Sequence, residues 1–170
     1  MARPIRGVLT LLALLSVATP ANAASSWAGS WRLADAQADA TARDKAIEAA
    51  TADLSRFKRG TARSRLGEKL ASPRKLVLKL NGDVVSIVRD GKPTKLAADG
   101  STKTVETAGG QGSAKAEIKG SQLVITAAGG NGTRTTVYER QGDALVVTVE
   151  LKAKILGAPL RVTSRYSISP

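Results

Sequence analysis

Glycine recurs at nearly regular steps along the C-terminal half of the chain, and this spacing constrains the fold more than any other feature. The positions are Gly82, Gly91, Gly100, Gly110, Gly120, Gly130, Gly142 and Gly157. Short runs between them alternate apolar and polar residues, as in Lys75–Leu80 and Ala144–Leu151. Alternating runs with turn residues at about every 8–12 positions are typical of antiparallel sandwiches and barrels. The spacing therefore predicts a mainly β protein.

The connections between these runs are short, which indicates the order of the strands in the sheet. Asn81-Gly82, between two alternating runs, is a strong signal for a hairpin turn. With a first strand at 27–33, the sequence contains about ten such runs. A meander of this length closes on itself because closure removes its unpaired edges. We therefore expect an antiparallel up-and-down β-barrel of about ten strands.

A helical insertion is expected at about 34–72, directly after the first strand. This stretch has no glycine before Gly60 and no proline before its end. Apolar residues recur at steps of three and four, which places them on one helix face; they are Ile47, Ala50, Leu54 and Phe57. Leu66 and Leu70 indicate a second, shorter helix after Gly60. The sequence thus predicts a helix-turn-helix that packs on the sheet.

The N-terminus has the three parts of a secretory signal peptide. Arg3 and Arg6 precede the apolar run Gly7–Ala18, and Ala21-Asn22-Ala23 is a small-x-small cleavage site. The apolar run is shorter than the ~20 residues that span a bilayer, so no transmembrane segment is expected. We therefore expect a signal peptide at 1–23 and a single domain at 24–170, in a periplasm or outside the cell.

The composition argues against most enzyme chemistry. The chain has no histidine and no cysteine, which removes the commonest general base, the thiol nucleophile and the commonest zinc ligands. Ser55 and Lys58 match a Ser-x-x-Lys pattern, but the Ser-Asp-Asn and Lys-Thr-Gly elements that accompany it in serine acyl enzymes are missing. We therefore expect a protein that is not an enzyme, with no cofactor and no metal site.

Basic residues concentrate in the second half of the predicted insertion. They include Arg56, Lys58, Arg59, Arg63, Arg65 and Lys69, and only Glu68 opposes them, in a chain whose formal net charge is +12. Two interpretations stay open: a solvated helix face, or a contact with an anionic lipid surface or lipopolysaccharide. Each basic residue near an anionic membrane contributes ~1 kcal/mol. Nucleic acid is not an expected partner, because the chain has few aromatic residues on which bases could stack.

The Gly29-Ser30-Trp31 triplet on the first strand, followed by a meander, resembles the calycin superfamily of lipocalins and fatty-acid-binding proteins. The inserted helix pair and the strand count are similar to the fatty-acid-binding branch, and the whole pattern resembles exported bacterial lipocalin-like proteins of uncharacterised function. The resemblance implies a barrel that holds a hydrophobic or amphipathic small molecule. It also implies a structural role for Trp31, with Arg161 or Arg165 packed over its indole.

The same resemblance implies where a ligand would be held. Fatty-acid-binding proteins hold the ligand carboxylate with an Arg-x-Tyr on the final strand; here Tyr166 matches the tyrosine and Ser164 stands in place of the arginine. The residues expected to contact a ligand are Phe57, Tyr138 and Tyr166.

Two functions from different classes follow from these observations. One is an exported protein that carries or senses an apolar or amphipathic molecule, with the basic helices as a lid that faces anionic envelope surfaces. The other is a filled barrel that binds a protein or an envelope polyanion through its outer surface. The interior separates them: a wall lined by small residues such as Ala114, Ala116 and Ala127 favours a cavity, whereas large residues would fill it.

Overall fold

The computed structural model describes residues 26–107 and 110–169, and within them the chain forms ten strands and two helices. The predicted signal peptide at 1–23 lies outside the described residues. The elements are β1 (Gly29–Leu33), α1 (Ala36–Ala50), α2 (Arg56–Leu70), β2 (Lys75–Asn81), β3 (Val84–Arg89), β4 (Lys92–Ala97), β5 (Lys103–Thr107), β6 (Gly110–Lys119), β7 (Gln122–Gly129), β8 (Gly132–Gln141), β9 (Ala144–Ala153) and β10 (Leu160–Ile168). No helix in the described part of the chain has the length and apolar character needed to cross a bilayer.

The strands form one antiparallel sheet in the order β4-β3-β2-β1-β10-β9-β8-β7-β6-β5. Sequence neighbours pair throughout, and pairing of β1 with β10 brings the first and last strands together. Within the described ranges, the outer strands β4 and β5 form no ladder with each other; β4 instead lies against β6, and an isolated bridge joins Asp99 to Glu117 of β6. The predicted up-and-down barrel with helices inserted after the first strand is confirmed.

The alternation in the sequence separates the inner and outer faces of the wall. Leu76, Leu78, Leu123, Leu145 and Tyr166 are all at most 1% exposed and point inward. On β2 and β10, the charged residues that alternate with the inward-facing ones are exposed; they are Lys75, Lys79, Arg161 and Arg165. Each fully buried large apolar side chain contributes about 1.5–3 kcal/mol, so the inward face supplies most of the driving force for closure.

Turn chemistry fixes the register of the hairpins. Asp90 and Gly91 have φ values of 46° and 83° and form a two-residue loop between Arg89 and Lys92. Positive φ at both positions matches the right-handed twist of the strands. At the preceding hairpin Asn81 pairs with Val84, so the loop is Gly82–Asp83, one residue later than the Asn-Gly pattern indicates.

Trp31 belongs to the core, as expected for a structural residue. It is 2% exposed, its Nε1 donates to the carbonyl of Trp27 at 3.0 Å, and a Cβ on Gly29 would lie 3.4 Å from that nitrogen. Arg165 does not cover the indole. Because Tyr166 points inward, the adjacent Arg165 points outward, where it is exposed.

The predicted helix break at Gly60 is wrong, because Gly60 lies inside α2 and the break falls after Ala50. Thr51 ends α1: its Oγ1 donates to the carbonyl of Ile47 at 2.8 Å. The guanidinium of Arg59 then donates to the carbonyls of Ala52 and Leu54 at 2.7 and 2.9 Å and holds the connection. These contacts come from a side chain that lies beyond the break, so helical periodicity alone does not reveal them.

Candidate ligand site inside the barrel

A small polar cavity lies where the segment after α2 meets the inner faces of β2, β3 and β8 to β10. Its volume is about 20 Å³, and its lining includes Ser72, Arg89, Arg134, Tyr138, Ser164 and Tyr166. A cavity of this volume has room for one water molecule or a group of similar size. The rest of its lining is mostly apolar, so the polar groups are concentrated at one place in the barrel.

Arg89 enters the interior because it is in phase with Val85 and Ile87, both of which are fully buried on β3. Its Nη2 donates to the hydroxyl of Tyr138 at 2.7 Å. Tyr138 is 2% exposed and reaches the same place from β8. The pair therefore links two strands that lie far apart in the sheet.

Arg134 lies four residues before Tyr138 on β8, in phase with it, and its Nη1 donates to the carbonyl of Lys69 at 3.0 Å. Burial lowers the pKa of Arg134, and the nearby positive charge of Arg89 lowers it further. Among the residues that the structure describes, neither arginine forms an ion pair with an acid. The cavity therefore has an excess of positive charge.

Tyr166 supplies a third kind of polar group from β10. It is 1% exposed, and its hydroxyl donates to the carbonyl of Pro73 at 3.1 Å. Burial raises the pKa of Tyr166 well above its ordinary value, and the negative charge of Asp39 raises it further. The hydroxyl therefore stays protonated and acts as a hydrogen-bond donor.

Ser72 connects the cavity to α1. Its hydroxyl donates to the Asp39 carboxylate, with an Oγ–Oδ1 distance of 3.2 Å, and lies 2.7 Å from the hydroxyl of Ser164. Asp39 is 8% exposed on the inner side of α1. One short segment after α2 thus contacts α1 and β10 through polar groups.

Three solved structures share this architecture along nearly their whole length. A fatty-acid-binding protein of Schistosoma mansoni in complex with arachidonic acid has a TM-score of 0.55 at 17% identity, covering 87% of this chain and 99% of that one. The REP1-NXSQ fatty acid transporter gives 0.53 at 16% identity, covering 86% and 98%. A secretory abundant heat soluble protein of Ramazzottius varieornatus gives 0.54 at 17% identity, covering 85% and 96%.

The chain has the calycin fold. At these identities the likeness extends to the fold alone. No protein-family model and no curated protein sequence matches the chain.

Two of the three aromatic residues predicted to contact a ligand line this calycin interior, and the third does not. Tyr138 and Tyr166 both face the cavity. Phe57 is 93% exposed in the first turn of α2 and takes no part in the lining, so it has no contact with a molecule held there. The displaced helix break is the reason, because it shifts Phe57 off the buried face.

The two interior arginines, Arg89 and Arg134, were not among the residues predicted to contact a ligand. The signal was present: Arg89 is two residues from Ile87, and Arg134 is two residues from Thr136, so the period of two places both on the inward face. Basic residues on strands usually face solvent, so strand parity alone did not suggest that these two arginines belong to the site.

The predicted anionic-surface residues on α2 divide into two groups. Arg59 and Arg63 make structural contacts: Arg59 holds the turn before α2, and Arg63 bonds Thr51 at 3.1 Å and pairs with Glu48 at 3.4 Å. The others are exposed and form no ion pair within the described chain; they are Arg56, Lys58, Arg65 and Lys69. This second group is the exposed basic set of α2.

Phe57 lies among this set and points away from the barrel. It is nine residues from the buried Leu66, and at about 100° per residue this separation places the two on opposite sides of α2. Its direct neighbours are Arg56 and Lys58. Phe57 is the most exposed of the four large apolar residues that the described chain presents to solvent.

Proposed function

We propose that this protein binds an amphipathic molecule with an anionic head group inside its barrel, with the head group against Arg89 and Arg134. The observation that carries the proposal is the pair of interior guanidiniums that have no acidic partner in the described chain. A buried charge is costly unless it is paired. An anion supplied by a ligand would provide the missing partner, and two solved neighbours are described as a fatty acid transporter and a fatty-acid-binding protein.

A carboxylate is the head group that fits these donors best. Guanidinium and carboxylate form charge-assisted hydrogen bonds that are about twice as strong as neutral ones. The Tyr166 hydroxyl could add a neutral bond if it exchanged its present acceptor, the Pro73 carbonyl. Low local polarity in the surrounding apolar wall strengthens each of these bonds.

Binding of an acyl chain requires the barrel to open. A volume of about 20 Å³ holds no more than the head group. The bonds from Arg134 to Lys69 and from Tyr166 to Pro73 hold the end of α2 and the segment after it against the cavity, so we expect both to move when a ligand enters. The bound state then differs from the closed state described above.

The exposed basic set of α2 is proposed to contact an anionic membrane, with Phe57 inserted between head groups. Each base contributes ~1 kcal/mol at such a surface. Burial of a phenylalanine side chain adds about 1.5–3 kcal/mol. In a periplasm or outside the cell, which the N-terminal sequence predicts, phospholipid and lipopolysaccharide are the available anionic surfaces.

The small cavity favours a second candidate function. If the barrel does not open, its interior is filled, although Ala114 and Ala116 are both buried in the wall. The protein would then act through its outer surface only, as a module that binds another macromolecule. This candidate predicts that no small molecule binds inside.

Native mass spectrometry with oleate separates the two candidates. A one-to-one adduct is expected with the unaltered protein and with Arg140→Met, because Arg140 is exposed near the end of the same strand. Arg134→Met should weaken the adduct by about tenfold or more, since it removes a charged partner. Circular dichroism verifies that both variants are folded. A bare mass for all three proteins at saturating oleate would exclude the carrier proposal and leave the filled barrel.

Sedimentation with phosphatidylglycerol vesicles tests the membrane contact. Replacement of Arg56, Lys58, Arg65 and Lys69 by glutamine should abolish binding at low salt. The matched control replaces Lys115, Lys119, Lys152 and Lys154 by glutamine, which removes the same charge from β6 and from around the end of β9. Equal losses in the two variants would show that binding follows net charge and not the α2 surface.

A further inference from the structure

The barrel wall carries a second basic surface, separate from α2. Its residues point outward from three adjacent strands, β2, β1 and β10, and all are exposed: Arg32, Lys75, Lys79, Arg161 and Arg165. These three strands contain no aspartate or glutamate. We call these five residues the basic wall.

On β6 and β9, in contrast, three lysines form ion pairs with acids of the same strands. Lys115 and Lys119 both approach Glu117, at 3.2 and 3.5 Å, and Lys152 pairs with Glu150 at 3.3 Å. No residue of the basic wall forms an ion pair within the described chain. The absence of ion pairs is therefore shared by the basic wall and the exposed basic set of α2, and it distinguishes both from β6 and β9.

The register places like charges against each other. Arg32 lies directly opposite Lys75 on one side and opposite Ser167 on the other, with Arg165 two residues beyond Ser167. Like charges directly opposite each other in an antiparallel pair destabilise a sheet. A neutral residue at position 32 or 75 would remove this cost, so the arrangement is explained if an external anion offsets it.

The basic wall is long and narrow. Lys79 lies four residues from Lys75 in one direction, and Arg161 lies six residues from Ser167 in the other. At about 3.3 Å per residue these ten steps span about 33 Å, whereas three strands are only about 10 Å wide. Three acids lie beside it: Glu150 directly opposite Arg161 on β9, Asp90, whose carboxylate accepts from the backbone N–H of Lys75 at 2.8 Å, and Asp35 at the start of α1.

We infer that the basic wall binds a linear acidic polysaccharide, along the line from Lys79 to Arg161. The side chains between the bases include the exposed hydroxyls of Ser30, Thr163 and Ser167, which suit sugar hydroxyls. A bilayer fits less well, because the four exposed large apolar residues of the described chain are Phe57, Val84, Ile155 and Ile168, and Ile168, the one on these strands, is in phase with the inward-facing Tyr166. Single-stranded nucleic acid fits less well because the wall has no aromatic residue on its outer face for stacking.

Heparin affinity chromatography and polygalacturonate titration test this inference with the full-length protein. The wall variant is Arg32→Gln, Lys75→Gln and Arg165→Gln. Its matched control is Lys115→Gln, Lys119→Gln and Lys152→Gln, which removes the same net charge from the other half of the barrel. Since counterion release scales with the number of contacts, the wall variant should bind about tenfold or more weakly than the control and show a salt slope shallower by about three.

The outcomes are distinct. Weaker binding of the wall variant to both polysaccharides, with the control near the unaltered protein, supports the inference. Equal losses in the two variants would overturn it. Failure of the unaltered protein to bind either polysaccharide at about 150 mM salt would also overturn it. A loss of binding to phosphatidylglycerol vesicles or to single-stranded DNA without a loss of polysaccharide binding would assign the wall to that other partner and also overturn it. Thermal melting shows whether each variant is folded, and Lys79→Gln with Arg161→Gln provides an independent pair if the triple variant does not fold.

Discussion

The two inserted helices have the same length but differ at the residues where they begin. α1 starts at Asp35, whose carboxylate accepts from the backbone N–H groups of Gln37 and Ala38 at 3.0 and 2.9 Å. Asp39 follows in the first turn. Acidic groups at this end complement the positive end of the helix dipole, so α1 follows the rules of helix capping.

α2 breaks the same rules. Ser55 occupies the cap position without a side-chain bond, and the first turn has no acid. Instead it carries Arg56, Lys58 and Arg59, whose charges oppose the helix dipole. Positions where local preferences are violated are often functional, because the cost has to be offset by a benefit elsewhere. The start of α1 therefore contributes to stability, whereas the unfavourable start of α2 supports the proposal that its bases contact an anion.

Truncation of one apolar side chain in each helix should show the largest difference. Ile47 of α1 is 3% exposed, and Ile47→Ala should lower the free energy of unfolding by about 2–4 kcal/mol through lost burial and a residual cavity. Phe57→Ala in α2 should change it by less than about 0.5 kcal/mol, because the ring is already in water. Urea unfolding measures both. Similar losses for the two variants would contradict the assignment of stability to α1.

Ile47 and Phe57 also show how far the sequence determines the fold. Strands were predictable because each depends on its own alternation and its own turn, as in the runs Lys75–Leu80 and Ala144–Leu151, which lie within β2 and β9. The helix boundary was not, because the apolar spacing of Ile47, Ala50, Leu54 and Phe57 continues across the break. Only the contacts of Thr51 and Arg59 decide where α1 ends.

The candidate site was predictable in part for a similar reason. Tyr166 could be assigned from its place on the last strand. The meeting of Arg89 with Tyr138 depends on closure of the sheet, since 49 residues separate them in the sequence. Strand parity indicates that both point inward, but only the closed barrel shows that their side chains touch.

Removal of the cap residues should give a smaller effect that separates the helices again. Asp35→Ala should cost about 1 kcal/mol, because two N–H groups of α1 lose their acceptor. Ser55→Ala should cost only roughly a few tenths of a kcal/mol, because its hydroxyl makes no capping bond. The free energies of unfolding in urea provide the comparison. An equal cost at the two positions would mean that Ser55 caps α2 in solution.

A new cap on α2 should give the smallest change in stability, with opposite effects on stability and binding. Ser55→Asp should raise the free energy of unfolding by about 0.5–1 kcal/mol, because the carboxylate accepts from the first turn and complements the dipole. It should also weaken sedimentation with phosphatidylglycerol vesicles, because it places a negative charge beside Arg56. Ser64→Asp, on the exposed face beyond the first turn, is the control that adds the same charge without a cap. If Ser55→Asp stabilises the protein and leaves vesicle binding unchanged, the bases at the start of α2 do not contact the membrane, and their unfavourable position needs another explanation.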